Sequence, residues 1–193
     1  MLDRARITSW AAQIAADEFG TIEAVFYAHT RQRPTVVWAP SAEQINTPQL
    51  RFLHDYWSAL AANGTLPNRR KIDPLAMRPA LGYVMLIDVV EGGLDFRYRL
   101  YGSIIARVSE LDMTGRLMSA HPASAYVTEF ALAVTRAAVQ RRLPIYSERT
   151  PALAAKTVRW QRLALPLIDD AGEVTRFLAA SVPIGRDGRV IGA

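Results

Sequence analysis

Apolar positions near the start of the chain recur at helical spacing. Ile7, Trp10, Ala11, Ile14 and Ala15 fall at i, i+3, i+4, i+7 and i+8, which predicts an amphipathic helix over residues 7–19 with Gly20 as its stop. Residues 30–48 read as irregular, punctuated by Pro34, Pro40 and Pro48, with residues 35–38 as a short extended piece. A second helix is predicted over residues 48–63 on the stripe Leu50, Leu53, Tyr56, Trp57 and Leu60. Pro48 suits its first turn, and Asn63-Gly64 suits its end. Past a connector marked by Leu66-Pro67 and Asp73-Pro74 the period changes. Residues 81–90 are almost wholly apolar, and Glu91-Gly92-Gly93 makes a turn. The next residues alternate, Phe96, Tyr98 and Leu100 against Asp95, Arg97, Arg99 and Tyr101, which predicts a β-hairpin. A short helix over 104–111 and a long one over 123–142 follow, the latter opened by Pro122 and ended by Pro144. Three strands close the chain, over 145–150, 157–168 and 174–184, with Asp169-Asp170-Ala171-Gly172 as the last turn.

Two hairpin strands, a helical crossover and three returning strands predict an α+β fold: a five-stranded antiparallel sheet with helices on one face. The expected organisation is a helical extension and connector over residues 1–75, the sheet domain over 76–185, and a flexible tail over 186–193.

Composition narrows the chemistry. The 193 residues contain no cysteine, which excludes disulfides, thiolate catalysis and a flavin–cysteinyl adduct. No apolar run reaches the length of a membrane span, and the acidic N-terminal segment is not a signal peptide, so a cytoplasmic protein is expected. The formal charge is +5, concentrated beyond residue 50. The densest basic runs, Arg69-Arg70-Lys71 and Arg141-Arg142, are separate and mixed with acids, so nucleic-acid binding through them is the weakest of the functional readings.

The motifs in their joint order resemble one family. They are Trp57 on the second helix, Gly64-Thr65-Leu66-Pro67-Asn68-Arg69, Asp73-Pro74, Leu86-Ile87-Asp88-Val89, and Phe96-Arg97-Tyr98-Arg99-Leu100-Tyr101-Gly102, followed by Asp112-Met113-Thr114-Gly115 and Leu165-Pro166-Leu167. Over roughly residues 49–184 they are similar to bacterial, alphaproteobacterial-type PAS domains. The resemblance implies a stand-alone sensory or protein-interaction module and no particular ligand.

Candidate site residues follow from the expected cavity between sheet and long helix. Its wall would be Phe96 and Tyr98, Tyr126 and Phe130, and Trp160 and Arg162, with Tyr98 and Arg162 able to orient a carboxylate or carbonyl. The competing reading is that these aromatics only fill the core. The parity of Trp160 stays open, because Leu163, Leu165 and Leu167 form the opposite register. Ile7, Trp10 and Ile14 are candidates for an interface that would make a homodimer; a protein partner is also expected. The second functional reading is a cavity-bearing enzyme of isomerase or dehydratase type with Asp88 as general base, against Asp88 paired to Arg97 or Arg99 across the hairpin. His29, His54 and His121 are not clustered, so no metal site is expected. One axial histidine suffices for haem and His121 borders the expected cavity, but a helix-capping or surface role for His121 is preferred. The Asp-Met-Thr-Gly run has no second copy and is read as a turn, not as half of an aspartic-protease dyad.

Overall fold

Asp3 opens the first helix: its carboxylate accepts the Arg6 N–H at 3.0 Å, satisfying one donor that the first turn leaves free. The computed structural model describes residues 1–61, 64–150 and 157–192. Helix α1 (Arg4–Ala15) ends where Asp17 takes a left-handed conformation with φ of 60°. Gly20, expected to terminate a helix, instead begins a second one, α2 (Gly20–Thr30). Strand β1 (Thr35–Trp38) follows, then α3 (Pro48–Leu60), which carries Pro48 in its first turn as expected; Asn63 lies outside the described residues. The hairpin is β2 (Val84–Val90) and β3 (Asp95–Tyr101). Short α4 (Ser103–Ser109) and long α5 (Ala125–Arg141) lead to β4 (Ile145–Arg149), β5 (Thr157–Ile168) and β6 (Val174–Gly185). The Asp169 carboxylate accepts the Ala171 and Glu173 N–H groups and so holds the last turn.

The sheet is antiparallel throughout, in the order β1-β4-β5-β6-β2-β3. It has six strands where five were expected, because β1 pairs with β4 at one edge. Helices cover both faces rather than one. Residues 163–167 show why: Leu163, Leu165 and Leu167 bury one face of β5 beneath Leu50, Leu53 and Trp57 of α3, while Ala164 faces the cluster of α1, α2 and α5. A strand buried on both faces reads as a continuous apolar run. The Trp57 indole N–H donates to the Pro166 carbonyl at 2.9 Å, and Pro166 lies past the last residue of β5 paired with β4.

Ile7, Trp10 and Ile14 do not form an outward-facing interface. They are 4%, 3% and 0% exposed, spent on packing α1 against α5 within the same chain. The buried Glu129 carboxylate on α5 clasps the two helices, accepting the Asp3 N–H at 2.8 Å and pairing with Arg6 at 3.1 Å. The Trp38 indole donates to the Ile14 carbonyl, and Arg141 stacks over the Trp38 ring at 4.4 Å. Residues 1–38 are therefore integrated with the sheet. The tail also folds back: Gly185 N–H donates to Arg189 and Ile191 N–H to Pro183.

One irregularity matters for the site. The β2–β3 register jumps from Leu86↔Leu100 to Ile87↔Tyr98, leaving Arg99 as an extra residue. This bulge reverses the alternation beyond it. Leu100, placed by alternation on the face of Phe96 and Tyr98, is 37% exposed, and Tyr101 turns to the side of Tyr98, their rings 5.2 Å apart edge to face. Among the described residues no helix is long and apolar enough to cross a membrane.

Candidate functional site

Strand register builds the floor of a cavity under α5. Ser147, Arg162 and Ser181 stand in one row across β4, β5 and β6, and Arg149 pairs with Trp160 in the next row. Helix α5 supplies the roof through Val127, Phe130, Ala131 and Val134, spaced at i, i+3, i+4 and i+7 so that they share one face. Tyr98 and Tyr101 of β3 and Ile105 and Ser109 of α4 form one wall; Met85, Met118 and His121 complete it. The cavity volume is about 230 Å³.

The electrostatics of this space are one-sided. No Asp or Glu lines it among the described residues, yet it holds two guanidinium groups. The Arg149 and Arg162 side chains make no ion pair or hydrogen bond with the described residues, and Nη2 of Arg162 is buried without a partner. Burial, and then Arg162 beside it, lowers the Arg149 pKa to about 10. The same two causes act on His121: burial first, then Arg149 and Arg162, push its pKa down to about 4. His121 accepts the Ala123 N–H at Nδ1, 3.1 Å away, so the neutral ring carries its proton on Nε2. Burial raises Tyr101 to about 12, keeping it a neutral phenol. The arrangement is an apolar chamber with a cationic end and neutral donors beside it, suited to holding an oxyanion by charge-assisted hydrogen bonds.

Of the residues expected to line the cavity, Tyr98, Phe130, Trp160 and Arg162 do so. Phe96 and Tyr126 do not. Phe96 packs on Phe177 in the core, and the Tyr126 ring stacks on His29 at 4.2 Å and meets Phe26 edge to face. Trp160 takes the cavity side because the leucines opposite it are claimed by α3. Arg149 and Tyr101 escaped the sequence reading. Alternation along β4, with Ile145, Ser147 and Arg149 on one face and Tyr146 and Glu148 on the other, was the available signal for Arg149. Tyr101 had none, because the bulge reverses its parity.

Asp88 is outside the cavity, which removes the geometry a general base would need there. Its carboxylate pairs with Arg176 at 2.6 Å and with Arg99 at 3.8 Å; Arg97, opposite it in register, instead donates to the Gly115 carbonyl. The Asp112 carboxylate accepts the Thr114 N–H and Gly115 has φ of 79°, a turn as expected. The basic runs are partly committed within the chain: Arg70 pairs with Asp170, Arg141 with Asp17, and Arg142 donates to the Gly172 carbonyl.

No curated protein and no solved structure matches the chain. A family model described as PAS domain matches residues 45–182, from just before α3 into β6, leaving α1, α2 and β1 outside the match. That span exceeds half the chain and contains β2 to β5, most of β6, the helices between them and every residue lining the cavity: the chain belongs to the PAS domain family.

Proposed function

We propose that the protein is a sensory module that takes a small molecule into the cavity between the sheet and α5 and reports its occupancy through the helices packed on α5. The observation that carries this reading is the position of α5. One face of it roofs the cavity, while Glu129 and Arg136 on the same helix are bonded to α1 through Asp3, Arg6 and Thr8. Arg136 also donates to the Gly93 and Leu94 carbonyls, linking α5 to the hairpin. A ligand that fits one packing of α5 better than another shifts the population of the α1–α5 arrangement by that difference in affinity. Family membership supports a signalling role for such a shift.

The test is native mass spectrometry after incubation with a metabolite extract, on the protein and on Ala131→Leu, which adds bulk to the roof. The reading predicts a discrete non-covalent adduct on the protein that Ala131→Leu lacks. Equal adducts on both, or none on either, would overturn it.

A further inference from the structure

We infer that the cavity ligand is an organic carboxylate with an apolar body, its anionic end held between Arg149 and Arg162 on the sheet floor. This rests on the cavity being a ligand site and adds the chemistry of what enters it.

Two guanidinium groups share one face of adjacent strands with no acidic partner among the described residues. The buried and half-buried acids nearby are committed elsewhere. Glu148 precedes Arg149 in the chain, but strand alternation turns its carboxylate to the opposite face, where Tyr146 donates to it, Gln161 donates at 3.0 Å and Arg159 pairs at 3.4 Å. Glu129 is held by Arg6, and Asp95 by the Ser119 hydroxyl and N–H. Each of these carboxylates is paired outside the cavity. A desolvated cation without a partner is unfavourable, and two side by side more so. An incoming anion removes that imbalance, and a guanidinium offers a carboxylate a planar fork of donors.

Away from the arginines the chamber is apolar, with Phe130, Val127, Val134, Met85 and Met118 around it. Inorganic anions would leave this part unfilled. An apolar cavity of roughly 150 Å³ accommodates benzene. By proportion, a cavity of about 230 Å³ holds a ligand of roughly nine or ten non-hydrogen atoms, the size of benzoate or octanoate.

The experiment is isothermal titration of the full chain with benzoate and octanoate, and with the neutral isosteres benzamide and octanamide. Arg149→Met and Arg162→Met are titrated in parallel. At least one of the acids is expected to bind the protein, at least about tenfold tighter than its amide, since charge-assisted hydrogen bonds are roughly twice as strong as neutral ones. Each arginine variant is expected to lose about tenfold or more of that affinity and to lose less of its affinity for the amide, so that the preference for acid over amide narrows. An amide that binds as tightly as its acid would overturn the anionic assignment and leave the cavity as a ligand site. Binding of neither acid nor amide would overturn both. Undiminished acid binding in both arginine variants would overturn the assignment of Arg149 and Arg162. The acid-to-amide comparison uses the unmodified protein, so it stands even if a variant fails to fold.

Discussion

Replacing Arg149 by Met is expected to make the ligand-free protein more stable. Burial and the neighbouring Arg162 lower the Arg149 pKa from 12.5 to about 10. At ~1.4 kcal/mol per pH unit, holding that guanidinium charged costs the folded state about 3 kcal/mol near neutrality. The sign follows from linkage. A cation whose pKa falls on folding opposes folding wherever it is protonated, and the opposition fades only as the pH rises through about 10. Methionine keeps the unbranched stem that packs beside Trp160 and removes the charge. Some lost packing and lost attraction to the phenol oxygens of Tyr98, Tyr101 and Tyr126 offset the gain, so the expected net is about 1–3 kcal/mol. For a chain of this size that is a rise in Tm of roughly 2–4 °C per kcal/mol. Urea titration and thermal melting in buffer without carboxylates read it. Arg33→Met, which removes an exposed pair with Glu23, serves as the control and is expected to change stability by less than ~1 kcal/mol. A loss of more than ~1 kcal/mol in Arg149→Met would refute the reasoning, because it would mean the guanidinium is stabilised by partners within the fold.

Further outcomes follow from the packing and titration described above. Trp10→Ala is expected to destabilise the chain by about 3–5 kcal/mol, independent of protein concentration in urea melts, because Trp10 is core; a dimer contact would instead give a concentration-dependent loss. Gly102→Ala is expected to cost about 1–3 kcal/mol or more in the same assay, since a Cβ there would lie 2.4 Å from the Gly82 carbonyl oxygen, a backbone atom that cannot swing aside. His121 has its pKa lowered from 6.5 to about 4 by burial and then by Arg149 and Arg162, so the unfolded chain binds its proton first. Stability is then expected to fall between pH 6.5 and 4 by about 1–3 kcal/mol from this group, solvent screening of the half-buried ring included, and His121→Gln should flatten that part of the wild-type stability profile.

The parts of the fold that were legible in the sequence are those with long local patterns. Helices α3 and α5, the hairpin and strands β4 to β6 sit within a few residues of their expected bounds, because period and punctuation agreed there. What escaped was set by distant partners. Residues 35–38 read as extended, but that they would pair with β4 more than a hundred residues away had no local signature. Helix α2 was missed because Gly20 reads as a stop and only Ile22 and Phe26 anchor it. The Arg99 bulge carries no glycine or proline to announce it, and it reversed the fates of Leu100 and Tyr101. The site was half legible for the same reason. Aromatic residues at alternate strand positions pointed to the cavity, whereas the choice between Trp160 and the leucines depended on α3 covering the other face. Asp88 found Arg176 on β6, 88 residues further along the chain.

The most direct test of the central claim is a crystal structure of the full chain with whichever of benzoate and octanoate binds. The account predicts the carboxylate within hydrogen-bond distance of both the Arg149 and Arg162 guanidinium groups, with the apolar body against Phe130 and Val127 under α5. A carboxylate bound anywhere else, or the two guanidinium groups paired with carboxylates of the protein itself, would contradict it.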